Sequence, residues 1–397
     1  MSNKPAILGG LPLFENKIPV AKPHIAVPTE FANEVASVLR TGILTNGPHT
    51  DALETRVAEH LGIKHAVAVS SATAGLMLTY RALDLSGDVI VPSFTFMATV
   101  GALVWCGLRP VFADIDPRTI NLDPRTAEAA ITPKTTAIVA VHNSGNPADI
   151  DELISLGERY GLRVIFDAAH AFGSLYQDSP VGGQGDAQVF SLSPTKLVTA
   201  GEGGIVATND DCVAKKVRLG RNYGNRGDYD CETAGLNARL PEVSALIAAQ
   251  SLGLLEAAAE RRNQIASLYR ERLGKLPGIG FQNVDERNRS SYKDFSINID
   301  ADGFGLTRNE LAVALEAENI EIRTYFDPPV HRQKAYECYA PQPGTLPNTD
   351  RMSAMILNLP IWSQMEETIA ARICLAIEKA HLFADAIRAR SRQATFA

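Results

Sequence analysis

Lys196 stands at the end of the run Phe190-Ser191-Leu192-Ser193-Pro194-Thr195-Lys196, and Gly201-Glu202-Gly203-Gly204-Ile205-Val206 follows it closely. Upstream, Asp167 ends the apolar run 162–166 and opens Asp167-Ala168-Ala169-His170. One amine and one carboxylate so placed are what pyridoxal 5'-phosphate (PLP) needs. The amine forms a Schiff base with the cofactor aldehyde, and the carboxylate keeps the pyridine nitrogen protonated so that the ring takes up carbanion electrons.

Each residue alone has an ordinary explanation. Most lysines are solvated, and an aspartate after a strand is often a turn or cap residue. The strand at 66–69 runs into Ser70-Ser71-Ala72-Thr73-Ala74 and then a helix. Small residues there let helix N-terminal N–H groups approach an anion, with the Thr73 hydroxyl beside them. The same pattern is an ordinary helix cap. Ser191 offers a second hydroxyl to a phosphate. Phe96, in Pro92-Ser93-Phe94-Thr95-Phe96, either stacks on a pyridine face or packs in the core. His170 either flanks the ring or satisfies a buried hydrogen bond. Taken together with the Gly-rich turn, these residues point to PLP. Gly201 to Gly204 is neither a P-loop, since no Lys-Ser/Thr follows, nor a Rossmann turn, since the G-x-G-x-x-G spacing is missing.

The elements that must position these groups are legible in outline. Residues 1–30, rich in Pro and Gly, read as an extended arm. Short β-branched runs at 66–69, 89–91, 111–113, 137–141, 164–166 and 189–192 read as buried strands, with helical spacing at 74–85 and 150–160 between them. That alternation predicts an α/β fold whose mostly parallel sheet is covered on both faces. Residues 205–208 read as an antiparallel addition. A long helix from 242 to about 276 is expected to bridge to a second domain. That domain has strands at 294–299 and 321–325, a helix at 307–318 and a closing helix from 366 to about 388.

Composition sets the outer limits. The chain of 397 residues is 45% hydrophobic and 21% charged, which describes a globular protein with ample core material and length for two domains. A net charge of −7 without a Lys/Arg cluster argues against nucleic acid as a partner. The five scattered cysteines form no C-x-x-C pair, so no metal site and no disulfide framework are expected, and a reducing cytoplasm is. No basic-then-apolar leader and no apolar run of membrane-spanning length is visible.

The chain resembles the sugar-nucleotide aminotransferases of the DegT/StrS type, PLP enzymes of the aspartate-aminotransferase fold. The likeness runs along nearly the whole chain. It includes Leu8-Gly9-Gly10, Thr41-Gly42 through Asn46-Gly47-Pro48, Ser71 through Leu76, and Val91 through Phe96. It continues in Asp167 through His170, Ser191 through Lys196, Gly201 through Gly204, Gly235-Leu236-Asn237-Ala238-Arg239, Arg323-Thr324-Tyr325-Phe326 and His331. The resemblance implies a type I fold, with a large PLP-binding domain and arm at 1–255 and a small C-terminal α/β domain at 256–397. It implies that Lys196 carries the cofactor, Asp167 pairs with the pyridine nitrogen, Phe96 stacks and His170 flanks the ring. Ala72, Thr73 and Ser191 would hold the phosphate. Asn237 and Arg239 would reach the neighbouring subunit's site across a homodimer. Thr45, Asn46, Arg239, Tyr325 and His331 would meet the sugar nucleotide.

The same resemblance implies a two-half reaction. L-Glutamate would give its amino group, Lys196 would move the proton, and pyridoxamine phosphate would then aminate a ketone on a nucleotide-linked 6-deoxyhexose. The sequence most resembles enzymes acting at C4 of dTDP-4-keto-6-deoxyglucose. Alternatives are a 3-keto sugar transaminase, a related PLP dehydratase or a non-catalytic sugar-nucleotide or PLP sensor. The intact Lys196/Asp167 pair disfavours a sensor, and Lys196 disfavours the branch that has His there and dehydrates. Two departures from the family pattern lie near the pocket: Ser193 stands where a histidine is common, and Val141-His142-Asn143-Ser144-Gly145 lacks the usual bulky residue.

Overall fold

The computed structural model describes residues 4–395. Strands β1 (His65–Val69), β2 (Asp88–Pro92), β3 (Arg109–Ala113), β4 (Thr135–Val141) and β5 (Arg163–Asp167) alternate with helices. A short hairpin, β6 (Leu175–Tyr176) and β7 (Ser179–Pro180), precedes β8 (Ala187–Ser191) and β9 (Gly204–Thr208). The large sheet has the order β1-β9-β8-β5-β4-β2-β3. All its neighbours pair in parallel except β9, which lies antiparallel between β1 and β8. Its strands are apolar on both faces because helices cover both, which leaves no alternating polar face. The expected α/β class and the antiparallel addition at 205–208 are therefore what the chain forms.

Two glycines set how closely the first crossover helix, Ala72–Ala82, approaches the sheet. A Cβ on Gly75 would lie 2.9 Å from Val189 Cγ1, and one on Gly204 would lie 2.7 Å from the backbone nitrogen of Ala72. Any larger residue would push the helix N-terminus off the ends of β8 and β9.

The C-terminal half builds a second, antiparallel sheet, β10 (Ile279–Phe281), β11 (Phe295–Ile299) and β12 (Ile356–Leu359), in that order. Its core contains Tyr269, Phe295, Leu311 and Ile373, and Phe14 of the arm packs into it. Glu318 accepts hydrogen bonds from the N–H groups of Ala6 (2.8 Å) and Leu13 (2.7 Å), so the arm is tied to this half.

Three expectations differ from the structure. The helix from 242 to 276 is two helices, Glu242–Leu252 and Leu255–Leu273, bent by 57°. The break falls at Gly253, a poor helix former, just after Ser251 commits its hydroxyl to the neighbouring loop. Residues 321–325 form no strand beyond one bridge between Arg323 and Asn358, because the Tyr325 N–H is taken by the Asn358 side chain at 2.8 Å. The closing helix is likewise two, Glu367–Leu382 and Ala384–Thr395. Before the closing helices, the segment after residue 330 returns to the large sheet: Asp114 accepts from the N–H groups of Asn348 (2.9 Å) and Thr349 (2.8 Å) at the start of helix Pro347–Met355.

Candidate active site

The parallel strands end on one edge, and a cavity of about 350 Å³ opens there. Ligands in open α/β sheets bind at this edge because strand ends and helix N-termini converge on it. Asp167 closes β5 and Ser191 closes β8. The sheet makes those two strands neighbours, so residues far apart in sequence line one cavity with Lys196.

Asp167 is buried and tightly held. Its Oδ2 accepts from the Thr99 hydroxyl at 2.7 Å, and its Oδ1 accepts from the Ala169 N–H at 3.0 Å. Burial nevertheless pushes its carboxyl above the usual range, against the pull of those donors and of the Lys196 ammonium. A buried carboxylate in this condition is short of a cationic partner, which a protonated pyridine nitrogen would supply.

Lys196 rides on the excursion between β8 and β9. That loop is cinched by Leu192 N–H to Gly203 C=O (2.9 Å) and Ala200 N–H to Leu192 C=O (2.8 Å). Ser251 pins it further, accepting from the Thr199 N–H and donating to the Leu197 carbonyl. The lysine is half-buried and opens on the cavity. Burial first, then the nearby Lys293 ammonium, lower its pKa to about 7, with Asp294, Asp167 and Glu202 opposing. It is therefore an amine that gains and loses a proton near neutral pH.

The helix Ala72–Ala82 presents its N-terminus to the same space. Ser71 caps it by accepting from the Ala74 N–H at 3.1 Å, which leaves the first-turn N–H groups of Ala72 and Thr73 without intrahelical partners. Ser191 accepts from the Ser193 N–H at 3.3 Å and keeps its own proton to donate. Two hydroxyls and a helix N-terminus form an anion cradle of the kind a phosphate ester requires. His170 Nδ1 accepts from the Ser144 N–H at 3.2 Å, which puts the neutral ring's proton on Nε2. Burial and the two lysines hold that ring far below its ordinary pKa, so it stays neutral. Phe96 is 52% exposed at the cavity wall, which is not the state of a core residue.

Ala72, Thr73, Phe96, Asp167, His170, Ser191, Lys196 and Tyr325 thus meet in one cavity. Five other residues named from sequence do not line it. Thr45 bridges to Pro241, Asn46 is exposed beside it, and Asn237 accepts from the Arg239 guanidinium on an exposed loop. His331 is buried with both ring nitrogens occupied, by Ser93 Oγ at 2.7 Å and Asp350 at 3.3 Å.

Lys293, Asp294 and Asn143 also line the cavity. Lys293 and Asp294 form a buried ion pair at 2.8 Å, and Lys293 Nζ lies 5.6 Å from the centre of the Tyr325 ring. A Lys-Asp dipeptide at a strand start reads as solvated, so nothing in the chain marks it. Asn143 belongs to the 141–145 segment that departs from the family pattern, and that departure was its signal.

A carboxylate, an amine and an anion cradle lining one cavity at the strand ends are the groups that a PLP-dependent aminotransferase requires. The sequence profile of the DegT/DnrJ/EryC1/StrS aminotransferase family matches residues 26–378. The chain is similar to DesI, solved in the presence of its TDP-sugar product, with 36% identity, a TM-score of 0.90 and full coverage of both chains. It is similar to DesV of S. venezuelae, solved with a ketimine intermediate: 33% identity, a TM-score of 0.86, and coverage of 93% of this chain and 99% of that one. It is also similar to PseC, an aminotransferase of pseudoaminic acid biosynthesis in Helicobacter pylori: 26% identity, a TM-score of 0.86, and coverage of 92% and 99%. The chain belongs to the DegT/DnrJ/EryC1/StrS aminotransferase family.

Proposed function

We propose that this enzyme transfers the amino group of L-glutamate to C4 of a dTDP-linked 4-keto-6-deoxyhexose, giving the 4-amino-4,6-dideoxy sugar nucleotide. The observation that carries this reading is the convergence of Lys196 and Asp167 on one cavity, in a chain 36% identical to DesI along its whole length. PLP, when bound, supplies the aldehyde that captures the amino nitrogen and the ring that accepts electrons. Asp167, fixed by Thr99 and Ala169, would hold the pyridine nitrogen in its protonated form. Thr73, Ser191 and the Ala72 N–H would hold the phosphate, with Phe96 and His170 beside the ring. Lys196 would carry the cofactor between turnovers, and its freed Nζ would take the proton from the donor's α-carbon and, in the second half, deliver one to the sugar carbon.

Asn237 and Arg239 lie outside the cavity of their own chain, which supports a role for them at the site of a partner subunit in a cytoplasmic homodimer. Thr45, bridged in backbone to Pro241 just after those residues, and its neighbour Asn46 belong with them at the sugar-nucleotide end, together with Tyr325 and His331.

The test is direct. Purified enzyme is incubated with L-glutamate and either the 4-keto or the 3-keto dTDP sugar, and the sugar nucleotide is weighed by mass spectrometry. Amination of the 4-keto compound is expected. Amination of the 3-keto compound alone would overturn the position assigned here, while leaving the transamination itself intact.

A further inference from the structure

A site that takes an amino acid and a sugar in turn needs a fixed group for the acid's α-carboxylate. That carboxylate is bonded to the carbon that loses its proton, so its partner must sit beside Lys196. Among the described residues lining the cavity, Lys196 and Lys293 are the two cationic side chains, and no arginine lines it. Lys196 is committed to proton transfer, and Arg239 is assigned to the sugar-nucleotide end of a partner's site. Of this chain's own lining cations, Lys293 remains.

Its surroundings are built to hold it in place. Ser291 donates its hydroxyl to the His170 carbonyl at 2.6 Å, and the Lys293 N–H donates to the Ser144 carbonyl at 2.9 Å. The guanidinium of Arg262, fully buried, donates to the carbonyls of Tyr292 and Lys293, both at 3.0 Å. A Cβ on Gly145 would lie 1.9 Å from Ser291 Oγ, so this glycine lets the segment dock. The side chain of Lys293 is only 7% exposed, and Asp294 Oδ1 is its hydrogen-bond acceptor at 2.8 Å. An ammonium has three N–H donors. Lys293 lines the cavity that also holds the Tyr325 ring and the reactive lysine.

We propose that Lys293 is the donor-specificity residue, binding the α-carboxylate of the amino donor while Asp294 holds its ammonium in position. The inference rests on the reading that the donor is an α-amino acid such as L-glutamate. Pairing with Asp294 keeps the ammonium from being an uncompensated buried charge between visits of the acid. It also explains how one cavity accepts a neutral sugar ring in the other half-reaction: the ammonium then donates to a hydroxyl instead.

The experiment uses holoenzyme and α-methyl-L-glutamate, which keeps both carboxylates but lacks the α-proton, so it binds without turnover. Binding is read from the change in cofactor absorbance on titration, with 4-aminobutyrate, which lacks an α-carboxylate, as the comparison ligand. Lys293→Gln is expected to weaken α-methyl-L-glutamate by about tenfold to a hundredfold, the range for a hydrogen bond to a charged group, while 4-aminobutyrate binds both proteins alike. A purely structural defect would weaken both ligands together. Because Lys293→Gln strands Asp294, the Lys293→Gln/Asp294→Asn pair is measured alongside and is expected to show the same selective loss. Equal α-methyl-L-glutamate affinity in wild type and both variants would overturn the assignment of Lys293. Failure of wild-type holoenzyme to bind α-methyl-L-glutamate would overturn the glutamate reading, and this assignment with it.

Discussion

Asp167 illustrates how the site's chemistry resides in partners as much as in the named residue. Its carboxylate is deprived of water, supplied with two neutral donors and left without a fully matching cation. Neutral donors orient a carboxylate but do not replace a counter-charge. In the proposed reading the pyridine N–H⁺ completes the set. Asp167→Asn keeps the shape and removes the charge, so the variant is expected to retain bound cofactor while its turnover falls on the order of a hundredfold to a thousandfold. Stopped-flow measurement of each half-reaction checks this, and turnover at the wild-type rate would refute the role. Lys196 behaves in the opposite sense. Its pKa near 7 means that the neutral amine predominates above neutrality, which is the form a proton-abstracting group requires. Much of this was readable from residue types at strand ends. Thr99 was not: a threonine inside the apolar helix Met97–Trp105 carries no mark of the carboxylate it serves.

At the level of elements, the helix Pro48–Leu61 begins without a side-chain cap of its own, and Glu242, from a distant helix, caps it instead. Its carboxylate accepts from the N–H groups of Gly47 (3.0 Å), His49 (2.8 Å) and Thr50 (3.0 Å), and from the Thr50 hydroxyl. Burial pushes this carboxyl up, but the combined donors hold it below its ordinary range. Since its folded pKa lies below its unfolded one, the stabilisation is complete above the ordinary glutamate range and is lost as pH falls through the folded value. Glu242→Gln is expected to lose about 1–3 kcal/mol at neutral pH, because an amide N–H₂ meets N–H donors. Denaturant unfolding across a pH series checks it. The gap between the two proteins should close on acidification, and a gap that stays constant with pH would count against the charge as its origin. Such tertiary caps escape a sequence reading, which sees only caps within a few residues. The same blindness explains the continuous helix expected at 242–276: the periodicity continues through Gly253, and only the demand of Ser251 for the Lys196 loop marks the bend.

At the scale of the whole chain, the strand–helix alternation and strand-end residues made the large sheet and most of the cavity legible. They did so because both signals are local and repeat along the sequence. The remaining wall of the cavity comes from the C-terminal portion, where Ser290 to Asp294 docks on the turn at Ser144-Gly145 and on His170. That docking depends on backbone contacts between segments far apart in the chain, and no residue pattern announces it. It also places a second buried lysine in the cavity, so residue type and burial alone leave Lys196 and Lys293 as competitors for the aldehyde. Ion pairing favours Lys196, since Asp294 holds the Lys293 ammonium at 2.8 Å and, among the described residues, no carboxylate is paired with Lys196. Borohydride reduction of the PLP-loaded enzyme, followed by peptide mass mapping, decides between them. A phosphopyridoxyl group on the peptide containing Lys196 is the predicted result, and one on the peptide containing Lys293, or on neither, would contradict the account.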